Sequence, residues 1–203
     1  MRANPVYPMI GDLQKNARHK LSLRTHYEVV ALMIISGGQT GVDRAALDAA
    51  LAAGAPCGGW CPAARKAEDG VIPERYPLTE HKSASYAART RQNVVDSDAT
   101  LTISFGPPQG GTAKTVYFCR RQHKPHLVID ASTTSVDSAL LRVTAFVREC
   151  KPQRLNVAGP RASAEPRAYD YAYALVSRLL EQDDSPLQRA TRSQSPPSGL
   201  RSP

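Results

Sequence analysis

The sequence has little of what staples small proteins or anchors membrane ones. Its 203 residues include four cysteines, Cys57, Cys61, Cys119 and Cys150. None forms a C-x-x-C pair, and no histidine stands beside Cys57 and Cys61 to complete a zinc set. A disulfide framework and a zinc module are therefore not expected, and a chain this long can bury a core without either. No run approaches the roughly 18 apolar residues of a membrane helix. The first thirty residues lack an apolar stretch ahead of a small-residue cleavage site, so no secretory signal is read. These absences predict a cytoplasmic protein with no membrane association. Runs of five or six like charges are missing as well, although the net charge is +8. That surplus is spread as +3 over residues 1–30, +4 over 31–181 and +1 over 182–203. Aromatic residues are only 6% of the chain and do not interleave a basic stripe. Nucleic acid is accordingly not the expected partner.

What is present is alternation. Val29–Ile35 is an apolar run followed by a glycine-rich turn, then by Val42–Ala53 with Ala46, Leu47, Ala50 and Leu51 at helical spacing. Pro56–Trp60 reads as a second strand, Cys61–Pro77 as a long Pro/Gly-rich loop, and 83–97 as a helix. A strand at Ala99–Phe105, a helix at 112–122, and a strand at His126–Ile129 follow. A helix over 134–150, a strand at Arg154–Ala158 and a last helix over 165–182 complete the pattern. Such alternation implies βαβ units and an α/β fold: a three-layer Rossmann-like sandwich on a mostly parallel sheet of about five strands. Residues 1–28 read as an N-terminal extension and 29–182 as the ligand-binding domain. Residues 183–203 hold only Leu187 and Leu200 as large apolar groups and four prolines. Such a tail cannot offset the entropy of ordering, so disorder is expected.

In open α/β sheets the ligand sits beyond the carboxyl ends of the strands. Three strand ends carry informative loops. Ser36-Gly37-Gly38-Gln39-Thr40-Gly41 leads straight into a helix, whose free N–H groups and positive dipole end suit an anion. Gly106–Thr112, with Gly110 and Gly111, is a second such loop. If the strands before them are neighbours, both helix N-termini converge on one crevice. Gly159-Pro160-Arg161 would bring a guanidinium to the same rim. The glycine spacing fails the G-x-G-x-x-G pattern, and Thr112 stands where a Walker loop needs lysine, so NAD, FAD and Walker-type nucleotide binding are disfavoured. Asp43, in the first turn after the first loop, either joins the pocket or complements the helix dipole. Arg65, Glu68 and Asp69 fall in the long loop and suit a polar lid. No Ser-His-Asp set or pair of catalytic carboxylates can be assigned.

Ile35-Ser36-Gly37-Gly38-Gln39-Thr40-Gly41-Val42-Asp43-Arg44-Ala45-Ala46-Leu47-Asp48 resembles the opening of the molybdenum carrier family. Gly59-Trp60-Cys61-Pro62, Ala67–Pro73, Tyr86, Arg89-Thr90, Asn93-Val94, Ser97–Leu101, Gly110-Gly111-Thr112 and Asn156–Arg161 match it in order. The family is similar in turn to the Lonely Guy-type phosphoribohydrolases of the SLOG superfamily. Those enzymes use an arginine on the helix before the fourth strand and a P-G-G-x-G-T-x-x-E loop after it. Arg89 matches the arginine, whereas Thr115 occupies the place of the glutamate. The resemblance therefore implies binding rather than catalysis: a carrier of the molybdenum cofactor, with molybdopterin as cargo. In that picture Ser36–Gly41 and Gly110–Thr112 hold its phosphate. Arg89, Lys114 and Arg161 neutralise charge, and Arg65 and Glu68 cover the pterin. The resemblance further implies a homo-oligomer and a molybdoenzyme or cofactor-biosynthesis partner. The alternatives are a nucleoside-monophosphate hydrolase in which Glu68, Asp69 or Asp43 replaces the glutamate, and a nucleotide-sensing module.

Overall fold

The computed structural model describes residues 31–183, and there the alternation becomes nine strands and five helices. The strands are β1 (Met33–Ile35), β2 (Cys57–Gly58), β3 (Trp60–Cys61), β4 (Lys66–Ala67), β5 (Gly70–Val71), β6 (Thr79–Glu80), β7 (Ala99–Ser104), β8 (His126–Asp130) and β9 (Arg154–Ala158). The helices are α1 (Val42–Ala52), α2 (Tyr86–Asp96), α3 (Gly110–Arg121), α4 (Val136–Cys150) and α5 (Ala168–Asp183). A five-stranded sheet of order β2-β1-β9-β7-β8, parallel at every pairing, carries the molecule. This is the expected Rossmann-like sandwich. Val29, Val30, the extension at 1–28 and the tail at 183–203, apart from Asp183 at the end of α5, lie outside the described residues. Among the described residues no helix is long and apolar enough to cross a membrane.

The sheet has two chemically distinct faces because β7 and β9 alternate. Ala99, Leu101 and Ile103 of β7 and Leu155 and Val157 of β9 enter the main core. There they meet Ala45, Ala46 and Ala49 of α1, Ala139, Leu140 and Val143 of α4, and Leu175, Val176 and Leu179 of α5. Small alanines on α1 let α5 pack closely against it. The opposite face buries Thr100, Thr102, Ser104, Ser36 and Asn156 on the side where α2 and α3 pack. There Asn156 donates to Thr100 Oγ1 at 3.3 Å. A buried polar face needs such internal partners.

Two expectations are corrected. β1 and β7 are not neighbours, because β9 lies between them. A doubly wound sheet ordinarily seats its first strand in the centre; here the last strand sits there, as if the first β–α unit had been moved to the chain's end. The loop after β9 consequently falls between the loops after β1 and β7. The second strand, expected unbroken over Pro56–Trp60, is split at Gly59, whose φ is +133°. A Cβ there would overlap the Ser36 carbonyl oxygen and stand 3.0 Å from Ser36 N. The chain turns away, and β3 pairs with β6 instead of joining the main sheet. Asn93 of α2 then serves Trp60 like a neighbouring strand: Trp60 N–H donates to its Oδ1 at 2.7 Å, and its Nδ2 donates to Trp60 O at 3.1 Å.

The long loop is more ordered than its composition suggests. It holds a single 3-10 turn at Ala63–Arg65 and the β4–β5 hairpin, and its Cys61, Ala67, Ile72 and Tyr76 form a small core with Leu47 of α1.

Candidate functional site

A cleft of about 680 Å³ opens at the carboxyl ends of β7 and β9, lined there by Ser104, Phe105, Ala158 and Gly159. Of the residues singled out from the sequence, Gln39, Asp43, Arg89, Gly110, Gly111, Thr112, Lys114 and Arg161 line it. They come from four separate segments, brought together because each follows or packs beside a parallel strand end.

The floor is an ion pair. Arg89 Nη1 lies 3.1 Å from Asp43 Oδ2, and the two side chains are 11% and 5% exposed. The Gln39 N–H also donates to Asp43 at 3.4 Å. Burial pushes the Asp43 carboxyl up from its usual range, against the opposing pull of Arg89 and the loop N–H groups. Gly37 lies beneath the pair: a Cβ on it would overlap Arg89 Nη1 and approach Asp43 Oδ2 to 2.8 Å. Glycine is needed at 37 because of what rests on it. At Gly41 the reason is different, since its φ is +74° and a Cβ would stand 2.5 Å from Pro160 O.

One wall is the start of α3. Gln109 is its N-cap residue and makes no side-chain cap, and no acid stands in the first turn. A Cβ on Gly110 or Gly111 would meet nothing within 4 Å, so this backbone borders open space. Its first intrahelical bond runs from Ala113 N to Gln109 O, which leaves the preceding N–H groups to an outside acceptor. Arg89 Nε is buried without a partner. The opposite wall carries Arg161, half exposed and 3.2 Å from Glu68 Oε2.

The other expected site residues do not line this cleft. Ser36 donates to Val157 O at 2.8 Å between the strands. Gly37, Gly38 and Gly41 shape the loop behind it. Thr40 donates to Glu68 and accepts from Ala162 N at 3.1 Å. Glu68, expected over the ligand, instead ties loops together, accepting from Thr40, from the Ser163 hydroxyl and from Ser163 N at 3.1 Å. Arg65 is likewise turned inward. Its guanidinium donates to the carbonyls of Ile72 (2.9 Å), Pro73 (2.8 Å), Tyr76 (3.0 Å) and Leu78 (3.3 Å), so it holds the long loop in shape. Asp69 pairs with Arg44, its Oδ1 accepting from Nη2 at 2.8 Å. Thr115, by contrast, does line the cleft; it is buried, and its hydroxyl donates to Gly111 O at 3.2 Å.

Three contributors were not foreseen. Asp130 accepts from Gly106 N at 2.8 Å and from Ser132, which fixes the loop entering α3; its place two residues before a serine is an Asx-turn signal. Phe105 forms part of the wall with the Arg167 guanidinium 4.9 Å over its ring. Glu165, also on the wall, is chelated by Arg167, which holds its carboxyl down at about 2. No periodicity announces these contacts, which join the ends of β7 and β8 to the segment ahead of α5.

A model of the circularly permutated YpsA SLOG family matches residues 34–180. The chain is also similar to a crystal structure named putative molybdenum carrier protein, from Syntrophus aciditrophicus SB. The two are 44% identical with a TM-score of 0.73, over 74% of this chain and 96% of that one. No curated protein compared with the chain matches it. The central position of the last strand is what a permuted order of β–α units produces. By sequence match and by strand order alike, the chain belongs to the circularly permutated YpsA SLOG family.

Proposed function

We propose that the cleft binds a phosphate-bearing small molecule and that the protein carries it as cargo, the cargo being a molybdenum cofactor of the molybdopterin type. The observation that carries this reading is the pairing of an uncapped α3 N-terminus with Arg89, whose Nε is buried without a partner, on one cleft. A phosphate oxygen between them would accept from both. Lys114 and Arg161 would neutralise its remaining charge. The similarity to a protein named for carrying molybdenum favours this cargo. Among the described residues no group of three or more His, Cys, Asp and Glu is placed to hold a metal ion. In this reading the hold falls on the phosphate end, the metal keeping the sulfur ligands of its own pterin.

With this reading go a cytoplasmic homo-oligomer and delivery to a molybdoenzyme or a cofactor-biosynthesis protein. The nucleotide-sensing alternative uses the same phosphate subsite. The hydrolase alternative would fall to Asp43, since Glu68 and Asp69 are engaged elsewhere and Asp43 is the one of the three on the cleft.

Native mass spectrometry and metal analysis of protein purified without oxygen from molybdate-supplied cells test the proposal. A molybdopterin mass with stoichiometric molybdenum, lost in Arg89→Ala, is expected. A nucleotide mass without molybdenum overturns the cargo and promotes the sensing reading.

A further inference from the structure

The floor of the cleft holds a carboxylate in the place where an anion is to be received. Asp43 is 5% exposed and salt-bridged to Arg89 of α2. The other charges around it are already engaged or stand further out. On its own helix Arg44 is turned to Asp69. On the segment after β9, Arg161 pairs with Glu68 and Glu165 with Arg167. Lys114 of α3 lies on the wall. The Asp43–Arg89 pair is thus neutral when both are ionised, and an anion reaching Arg89 also meets Asp43.

We propose that the cleft takes up its anion together with a proton, and that Asp43 is the group that accepts this proton. The inference rests on the phosphate-site reading above. Two negative groups sharing one guanidinium in a water-poor floor repel, and protonating one of them removes the repulsion. The protonated carboxyl keeps an acceptor oxygen for Arg89 and the loop N–H groups, while the full guanidinium charge passes to the anion. Burial favours the neutral form of Asp43 and outweighs the opposing pull of Arg89 and the loop N–H groups. Asp43 becomes the residue that decides what net charge the cleft accepts.

Calorimetric titration of the full chain with sodium sulfate, whose charge is constant over the working range, reads this directly. Repeating it in buffers of different ionisation enthalpy counts the protons. The expected result is uptake approaching one proton per sulfate. Affinity should fall up to about tenfold per pH unit between the free-state and bound-state titrations of Asp43. Asp43→Asn should bind sulfate without proton uptake and with no such slope. Lys114→Ala should bind more weakly with the proton count unchanged. Sulfate binding by the parent without proton uptake, or uptake that persists in Asp43→Asn, overturns the inference and leaves the anion site standing. Absence of sulfate binding in both overturns the anion-site reading and this inference with it.

Discussion

Replacing Gly37 by alanine separates the ligand site from the scaffold that carries it. The added methyl would overlap Arg89 Nη1 and approach Asp43 Oδ2 to 2.8 Å, and it would touch no backbone of another segment within the nearest contacts. The obstruction is the far end of a long side chain, so the guanidinium moves and the β1–α1 loop stays. Forced repacking of this kind costs about 1–3 kcal/mol. Losing a charge-assisted hydrogen bond to the anion costs about 1.5–3 kcal/mol more in binding. That is roughly a tenfold to hundredfold fall in sulfate or nucleotide affinity. Gly59→Ala is the contrast, because its methyl would strike the Ser36 backbone at a φ of +133°. It should lower the urea midpoint well beyond Gly37→Ala. The assay pairs urea unfolding with calorimetric anion binding on both variants. Unchanged affinity in a folded Gly37→Ala protein would refute the assignment of Arg89 to the anion. Unfolding as severe as that of Gly59→Ala would refute the claim that Arg89 yields.

Further outcomes follow from other contacts. Asn93→Ala leaves the Trp60 N–H and carbonyl without their side-chain partners and should cost about 2–4 kcal/mol in urea unfolding. Arg65→Met leaves four carbonyls unpaired in the long loop. It should speed proteolysis there while anion affinity stays within about twofold, since Arg65 lies off the cleft. Asp130 has its carboxyl held down by the Ser132 hydroxyl and then by the Gly106 and Ser132 N–H groups. Its contribution is therefore present above its unfolded value of about 3.9 and lost as pH falls through the lower folded one. The Gly106 amide resonance should shift in that acid range and not in Asp130→Ala. Tyr169 is pushed up to about 12 by burial and then by its hydrogen bond to Asp48. Its raised value stabilises the fold fully below about 10, the unfolded value, and the benefit fades as pH rises through the folded one. Burial also pushes Tyr76 and Tyr171 up, so phenolate absorbance should show a late-titrating component that shrinks by one tyrosine in Tyr169→Phe.

Local chemistry was legible in the sequence wherever the signal is carried by neighbours along the chain. The spacing of Ala46, Leu47, Ala50 and Leu51 marked α1, and the alternation in Ala99–Ser104 marked β7. The glycine loops announced turns at the ends of β1 and β7. Arg89, Gly110–Thr112 and Arg161 were singled out and do line one cleft. Arg65 and Glu68 were assigned to a lid, because a charged residue in a loop reads the same whether it faces a ligand or ties the loop to itself. The structure turns both toward carbonyl and hydroxyl partners.

The sequence by itself determined the five helices and the longer strands, the α/β class and the family, since periodicity, turn residues and ordered motif blocks are local properties of the chain. Only the tertiary structure decided strand order. The apolar alternation of Leu155 and Val157 suits an inner strand anywhere in the sheet, and the central place of β9 emerges only when both its faces are covered. That placement sets the β9 loop between the other two and gives the cleft its third side. It also decided why Gly37 must be glycine, because the group that rests on it, Arg89, is far away in sequence and near only in the folded chain.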